Sequence, residues 1–475
     1  MYRPLSEVEL RQIYDAALTL LETLGMGEVP DRLAELFLAQ GAERSELGRI
    51  LFPRAYIEEV IDRAPKRFTL HGRDPGRSFE VGGDAVHFGT GGAAVQTLDL
   101  ESGDYRPSTL QDLYDFARLQ DGLANVSWFT RCCVATDVPE IVDLDLNTVY
   151  AMLRGTTKPI ATSFTLAETV APIVAMCDIA AGGEGAFRAR PFLKAHISPV
   201  ISPLRYGEDA VDVTFACIQE GIPLNCITGA QGGATAPATM AGILVQTLAE
   251  TLASLAMVHA IKPGHPMIFS NWPFVIDLRT GAFSGGGGEM ALLNAAAAQM
   301  SNWLGMPSGV AASMSDAKAI DAQCGAEKGV TTLAAALAGG NLIYESSGMT
   351  AGLLGASFEA FLLDNEMHSA IYRTLRGVEV SDDTIGLDAI RAVVLGEGHF
   401  LGADQTMQAM ERDYVYPALA DRDQPITWSE GGRQDAWTRA NAEAKRRLAE
   451  PDPGYLSKDA DVKIRDAFKI DLPPA

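Results

Sequence analysis

The sequence predicts an α/β fold: a (β/α)8 TIM-like barrel with an N-terminal helical cap and a C-terminal helical extension. Three observations lead there. Short apolar or β-branched runs recur eight times between residues 85 and 347, each followed by a segment of helical period. Parallel strands need crossovers of that length, so the alternation implies a parallel sheet. Eight such units are the number that closes a sheet on itself, with an open doubly wound sheet as the alternative. The ends of the chain lie outside this rhythm, which divides it into a cap and hairpin over 1–80, the barrel over 81–380 and the extension over 381–475.

In order along the chain, helical periodicity runs near 6–25, 29–41 and 53–64. A capping box from Ser6 to Glu9 opens the first of these. "RFTLHGRDPGRSFEVGGDAVHF" reads as short strands joined by glycine turns. The barrel strands are "AVHFGT" (85–90), "VSWFTRC" (126–132), "PIATSF" (159–164), "FLKAHIS" (192–198), "PLNCITG" (223–229), "PMIFSNW" (266–272), "GVAASMS" (309–315) and "LIYESS" (342–347). Helices fill 108–120, 139–153, 166–181, 207–220, 237–261, 288–303, 322–338 and 355–375. Capping signals stand at Ser108 with Gln111 and at Thr165 with Glu168. From "GHFLG" at 398 the pattern turns helical and then irregular, and the charged helix 435–450 is expected to pack outside the barrel.

Composition narrows the function. The 475 residues are 47% hydrophobic and 21% charged, with a formal net charge of −23. Such acidity argues against a nucleic-acid partner and against adsorption to an anionic membrane. No run approaches 18 unbroken apolar residues, so no membrane span is expected. The first residues read as an amphipathic helix rather than a signal peptide. Six scattered cysteines without a C-x-x-C fit a reduced, cytoplasmic protein.

In a barrel of this kind the chemistry sits where the strands end. Those ends are rich in aromatic residues: Phe88, Trp128 or Phe129, Phe164, Trp272, Phe274 and Tyr344. Singly each reads as packing. Together they are the material of a cage for a quaternary ammonium, which offers no hydrogen-bond donor and is held by π-faces and carboxylate charge. Glu345 follows Tyr344 and could balance the cation. Polar groups at the strand ends are Thr90, Arg131, His196, Gln231, Asn271, Ser315 and Glu345. "HFGTGGAAV" (87–95) does not complete a dinucleotide fingerprint. "SGGGGEM" (284–290) reads as a mobile loop, or as a lid or anion cradle. "SDAKAIDAQCGAEKG" (315–329) follows the seventh strand, where Lys318 could serve as a Schiff-base lysine of a barrel lyase. No zinc-ligand spacing is present, and no metal is expected in this chain.

Five long segments, "ISPLRYGEDAVD" (201–212), "GAQGGATAPATMAGILVQTLAETLA" (229–253), "DLRTGAFSGGGGEMALLNAAAAQM" (277–300), "SDAKAIDAQCGAEKGVTTLAAALAGGNLIY" (315–344) and "GHFLG" (398–402), resemble the trimethylamine methyltransferase family. The resemblance runs from the first helices to about residue 450. It implies a TIM-like barrel that moves a methyl group from a methylated amine to the cob(I)alamin of a separate corrinoid protein. The cobalamin would belong to that partner.

Members specific for trimethylamine carry pyrrolysine in the segment matching Lys318 to Asp321, where this chain reads through "AKAID" with ordinary residues. That departure puts trimethylamine in doubt. A quaternary ammonium leaves as a neutral amine and needs no such activation, so the resemblance is to the branch without pyrrolysine, which includes enzymes for glycine betaine and related betaines. No catalytic residue beyond positioning is expected. The substrate residues expected are Phe88, Phe164, Trp272, Tyr344 and Glu345 for the cation, with Arg131, His196, Gln231, Asn271 and Lys318 for a carboxylate. A tertiary-methylamine methyltransferase and a quaternary-amine-binding barrel without turnover are the alternatives. Betaine-type members often have a histidine in an H-D-like pair near the end of the eighth strand, where this chain has Tyr344-Glu345, so the resemblance leaves open another quaternary amine such as carnitine, proline betaine or choline, or a dimethylsulfonio analogue. A homo-oligomer is plausible on general grounds.

Overall fold

The computed structural model describes residues 2–474. Eight parallel strands build the central sheet: β1 (His87–Phe88), β2 (Phe129–Thr130), β3 (Ile160–Thr162), β4 (Leu193–Ile197), β5 (Leu224–Thr228), β6 (Met267–Asn271), β7 (Ser308–Ala311) and β8 (Leu342–Tyr344). From β2 to β8 each pairs with the next in sequence, and β8 returns to β1. The seam between β1 and β2 is held by one parallel bridge, Gly89 to Trp128, and by Ser127 N–H donating to the Phe88 carbonyl at 2.7 Å. The sheet therefore closes. Every strand lies within the segment expected for it except β7, which begins one residue early at Ser308, and each is shorter than the run expected.

The crossover helices are α1 (Leu110–Asp121), α2 (Ile141–Gly155), α3 (Val170–Ala181), α4 (Glu208–Gln219), α5 (Met240–Ile261), α6 (Gly288–Trp303), α7 (Ala322–Leu337) and α8 (Phe358–Leu375). Two caps differ from expectation. Thr109, not Ser108, forms a capping box at α1, with Asp112. Thr165 caps nothing: its hydroxyl and backbone N–H donate to Asp145 at 2.8 Å each, and a 3-10 turn, Ala167–Thr169, leads into α3. A buried carboxylate outcompetes the local cap. The Ser6–Glu9 capping box is present at the first helix, Glu7–Thr23.

The three N-terminal helices lie on the flank of the barrel rather than over an end. Glu7–Thr23, Asp31–Ala39 and Arg54–Arg63 all pack on the outer side of α5, while β5 and β6 cover its inner side. That sandwich explains why α5 is apolar all round. It is long and apolar enough to cross a membrane by composition, yet most of that stretch is buried inside the protein. The hairpin Phe68–Leu70 with Phe79–Val81 closes the end where the strands begin: Phe79 packs on His87 and Trp128, with ring centroids 4.3 and 6.3 Å apart. The helix Ala436–Leu448 packs outside the barrel against α8 and α1.

Alternation along the strands sorts side chains to the two faces. Trp128, Lys194, His196, Trp272 and Tyr344 face the barrel axis, where their rings meet one another. Phe88 and Ile343 are register partners and face the helices. Gly89 also faces inward, and a Cβ there would lie 2.3 Å from the Trp128 indole. Gly89→Ala must therefore displace the indole at the weakest seam. The expected loss is about 1–3 kcal/mol of stability, measured by denaturant unfolding; an unchanged midpoint would show that the seam tolerates the methyl.

Candidate functional site

A cleft of about 720 Å³ opens where the strands end. Its lining includes Phe164 after β3, His196 on β4, Gln231 after β5, Trp272 and Phe274 after β6, and Glu345 after β8. A small sheet of Gln231–Gly232, Phe274–Ile276 and Phe283–Ser284 braces one wall. Trp272 and Phe274 meet edge to face at 6.1 Å, and Phe274 meets Phe283 in the same manner at 5.3 Å.

Beneath these rings lies a second aromatic tier. Tyr344 is fully buried, 5.3 Å from Trp272, 5.5 Å from His196 and 4.9 Å from Trp128 between ring centroids. Trp128 is locked by its indole N–H, which reaches the Thr90 carbonyl and Thr130 hydroxyl, both at 3.1 Å. Tyr344 thus supports the floor of the cleft rather than lining it.

Glu345 is the buried acidic group of the wall; Asp209, the other acidic residue there, is exposed. It sits in the left-handed region with φ 59°, a strained conformation for a residue with a Cβ. Its carboxyl lies against the first loop: a Cβ on Gly91 would stand 2.5 Å from Oε1, and one on Gly92 would stand 2.9 Å from Oε2. The glycines of "HFGTGGAAV" therefore make room for Trp128 and for Glu345. Burial pushes the Glu345 carboxyl up to about 8, against the lowering effect of the Gly92 N–H and Lys328. It is mostly protonated at neutral pH.

His196 carries the opposite adjustment. Burial first, then the charges of Lys194 and Arg131, hold its proton affinity well below the usual range, so it is neutral. Asn225 accepts the Ser270 hydroxyl on Oδ1 and contacts His196 Nδ1 at 2.8 Å through Nδ2. That arrangement makes Nδ1 the acceptor and leaves the proton on Nε2. Arg131 is also lowered by burial, and its Nε has no hydrogen-bond partner. Lys194, which the sequence reading passed over, is fully buried with no partner on Nζ, 4.7 Å from the Tyr344 ring centroid and 5.6 Å from that of Trp128. Its signal was present in "FLKAHIS": two residues before His196, it shares the inward face.

Three expected substrate residues stand elsewhere. Phe88 stacks on His368 at 4.3 Å on the helix side, because the register of β1 with β8 turns it outward. Asn271 is buried and pairs in register with Thr228, whose hydroxyl bonds Thr251 of α5, so it too faces the helices. Lys318 is exposed, outside the cleft lining, and donates to the Asp316 carbonyl at 2.6 Å. No buried pocket surrounds it, as a Schiff-base lysine requires. Thr90 and Ser315 serve the backbone and the loops: Thr90 donates to the Thr130 carbonyl at 2.6 Å, and Ser315 donates to Glu327 at 2.7 Å.

The glycine-rich loop is not a free lid. Asp316 accepts from Gly285 N–H at 2.8 Å and from the Ser284 hydroxyl at 2.9 Å. A Cβ on Gly286 would stand 2.4 Å from the Glu327 carboxyl carbon. The loop does cradle an anion, and the anion is the protein's own Asp316. Asp321 caps α7 by accepting from Cys324 N–H at 3.1 Å, and Cys324 is buried in the first turn.

The profile described as "Trimethylamine methyltransferase (MTTB)" matches residues 1–469. A glycine betaine methyltransferase of Desulfitobacterium hafniense (strain Y51) is 29% identical over 465 residues, covering 98% of this chain and 96% of that one. A trimethylamine methyltransferase of Methanosarcina barkeri is 30% identical over 471 residues, covering 97% and 94%. Among solved structures, the monomethylamine methyltransferase of Methanosarcina barkeri is 15% identical, covers 93% of each chain and superposes with a TM-score of 0.49. The chain belongs to the trimethylamine methyltransferase family.

Proposed function

We propose that the protein removes a methyl group from a quaternary trimethylammonium compound of the betaine type, such as glycine betaine, and passes it to cob(I)alamin carried by a separate corrinoid protein. One observation carries this reading: the cleft is walled by π-faces with one buried, mostly protonated carboxyl, Glu345, while its other acidic residue, Asp209, is exposed to solvent. An aromatic wall suits R–N⁺(CH₃)₃, which has no proton to donate. Displacement of the methyl group extinguishes the positive charge, so a ring of fixed carboxylates would stabilise the ground state more than the transition state. One carboxyl held near 8 avoids that penalty.

The corrinoid supplies the nucleophile for an in-line displacement. The chain's own residues hold and aim the substrate and keep water out. Trp272, Phe274 and Phe164 surround the ammonium. Glu345 adjusts its charge to the cation. A substrate carboxylate turns towards Gln231 and His196 Nε2, with the Arg131 and Lys194 side chains buried behind them. The leaving group is a neutral amine, so the neutral His196 needs to deliver no proton. The entrance, where Ile201 is exposed, leaves a face for the partner. Lys318 lies outside the cleft, and no side chain there stands in for the activating residue of trimethylamine-specific relatives.

The direct test mixes the protein with cob(I)alamin, the methyl acceptor, and a panel of betaines and methylamines. Methylcobalamin absorption grows with a quaternary amine; growth with trimethylamine alone, or tight binding of every betaine without growth, would overturn the reading. Trp272→Ala should weaken quaternary-ammonium binding by about 1–2 kcal/mol, the scale of a desolvated cation–π contact, by calorimetry. The pH dependence has a definite sign. Only ionised Glu345 attracts the cation, so affinity should rise with pH up to about 8 and then level off, and Glu345→Gln should flatten the profile. Because the folded carboxyl titrates above its unfolded value, ionising it costs stability as pH rises from 4.5 to about 8. Glu345→Gln should therefore raise the melting temperature above pH 8, relative to wild type, and do little below pH 5.

A further inference from the structure

A lysine without a counter-charge stands beneath the cleft. Lys194 lies two residues before His196 on β4 and shares its inward face. The residue is 1% exposed, and its Nζ has no hydrogen-bond partner. The buried Glu345 carboxyl does not compensate it, being turned to Gly91 and Gly92. Burial therefore holds the Lys194 amine well below the usual lysine range. Two aromatic faces nevertheless receive it. Nζ stands 4.7 Å from the Tyr344 ring centroid and 5.6 Å from that of Trp128, both within cation–π reach. An ammonium at this position would have its π-faces in place and would lack only a negative charge.

The other titratable groups around the amine cannot supply that charge. Burial keeps the Tyr344 hydroxyl protonated, His196 is neutral, and Arg131 has the same sign as an ammonium. A betaine brings the missing charge with it. The function proposed above sets the substrate carboxylate on His196 Nε2, and the His196 ring and Lys194 Nζ flank the same Tyr344 ring. His196 is a poor place for a new proton. Its Nδ1 meets Asn225 Nδ2 at 2.8 Å, and Asn225 Oδ1 accepts the Ser270 hydroxyl, so protonating the imidazole would break that chain.

We propose that Lys194 determines specificity for a substrate's acidic end: as the carboxylate settles, the amine takes one proton from the solvent and places a positive charge beneath it. The inference rests on the proposed function. No bond of the substrate changes in this step. Lys194 lies outside the cleft lining and acts through charge rather than contact. It selects zwitterionic trimethylammonium compounds over alcohols of the same size.

Glycine betaine and choline are the probes, because they share one cation and differ in carboxylate against hydroxyl. Calorimetry in buffers of different ionisation enthalpy counts the protons exchanged on binding. Glycine betaine should take up about one proton more than choline. Glu345 responds to the cation, which both ligands share, so its contribution cancels in the comparison. Uptake is favoured by acid, so the preference for glycine betaine should fall as pH rises. Lys194→Met keeps a similar volume without the amine. This variant should bind choline within about twofold of wild type, lose the extra proton, and lose about tenfold or more of the preference for glycine betaine. Equal proton counts for the two ligands in wild type, or an extra proton that persists in Lys194→Met, would overturn the proposal. Loss of choline binding in Lys194→Met would also overturn it, by marking the lysine as a support of the cleft. Failure of wild type to bind either ligand would instead strike the proposed function itself.

Discussion

The contact on which the rest of the site depends is the Trp128 indole lying in the space that Gly89 leaves empty. It closes the barrel where the ladder is reduced to one bridge. The same indole packs edge to face on Tyr344, and Tyr344 in turn supports Trp272 and His196. The cleft floor is thus the top of a packed core, and its shape is fixed by close packing rather than by loops. A cleft built this way is organised before any ligand arrives, which reduces the ordering cost of binding.

Desolvation does the second part of the work. Within one barrel end it lowers the proton affinity of Lys194, His196 and Arg131 and raises that of Glu345. All four shifts run towards neutrality, as burial without a paired counter-charge requires. The contrast is Lys328 with Asp364, equally buried but joined at 2.9 Å, with the Ser313 carbonyl and Gly348 N–H completing their hydrogen bonds. That pair is structural and satisfied. The cleft groups are left with unpartnered atoms, among them Arg131 Nε, Lys194 Nζ, Trp272 Nε1 and Glu345 Oε2. Buried polar atoms of that kind are costly and concentrate where ligand or ordered water completes them.

The eight strands and their helices were legible because each carries its own period and length. What failed were features set by distant residues. Ser108 and Thr165 had the composition of caps, but Asp145 claims Thr165 from another helix. Phe88 and Asn271 lay in the right strands on the wrong face: with β1 only two residues long, the alternation cannot be phased locally, and pairing with β8 decides it. The α5 helix is apolar all round because the N-terminal helices cover its outer side, a packing that nothing in its own sequence announces. Lys194 was visible as a lysine two residues from His196, yet a lysine in an apolar strand reads as an edge residue unless the barrel closes around it.

The loop after β7 shows how chemistry can be inferred from an internal bond. Asp316 takes the glycine-loop N–H groups that would otherwise be free for a substrate anion, and Glu327 takes the Ser315 hydroxyl and the Asp316 N–H. The polar residues of this segment are thereby committed to holding two loops together. Lys318, bonded to a carbonyl of the same turn, points its charge to solvent. With those groups occupied, the loop has nothing left with which to activate an amine leaving group. Under the proposed function the substrate brings its own activation, and a quaternary nitrogen does so by carrying the positive charge that departure removes.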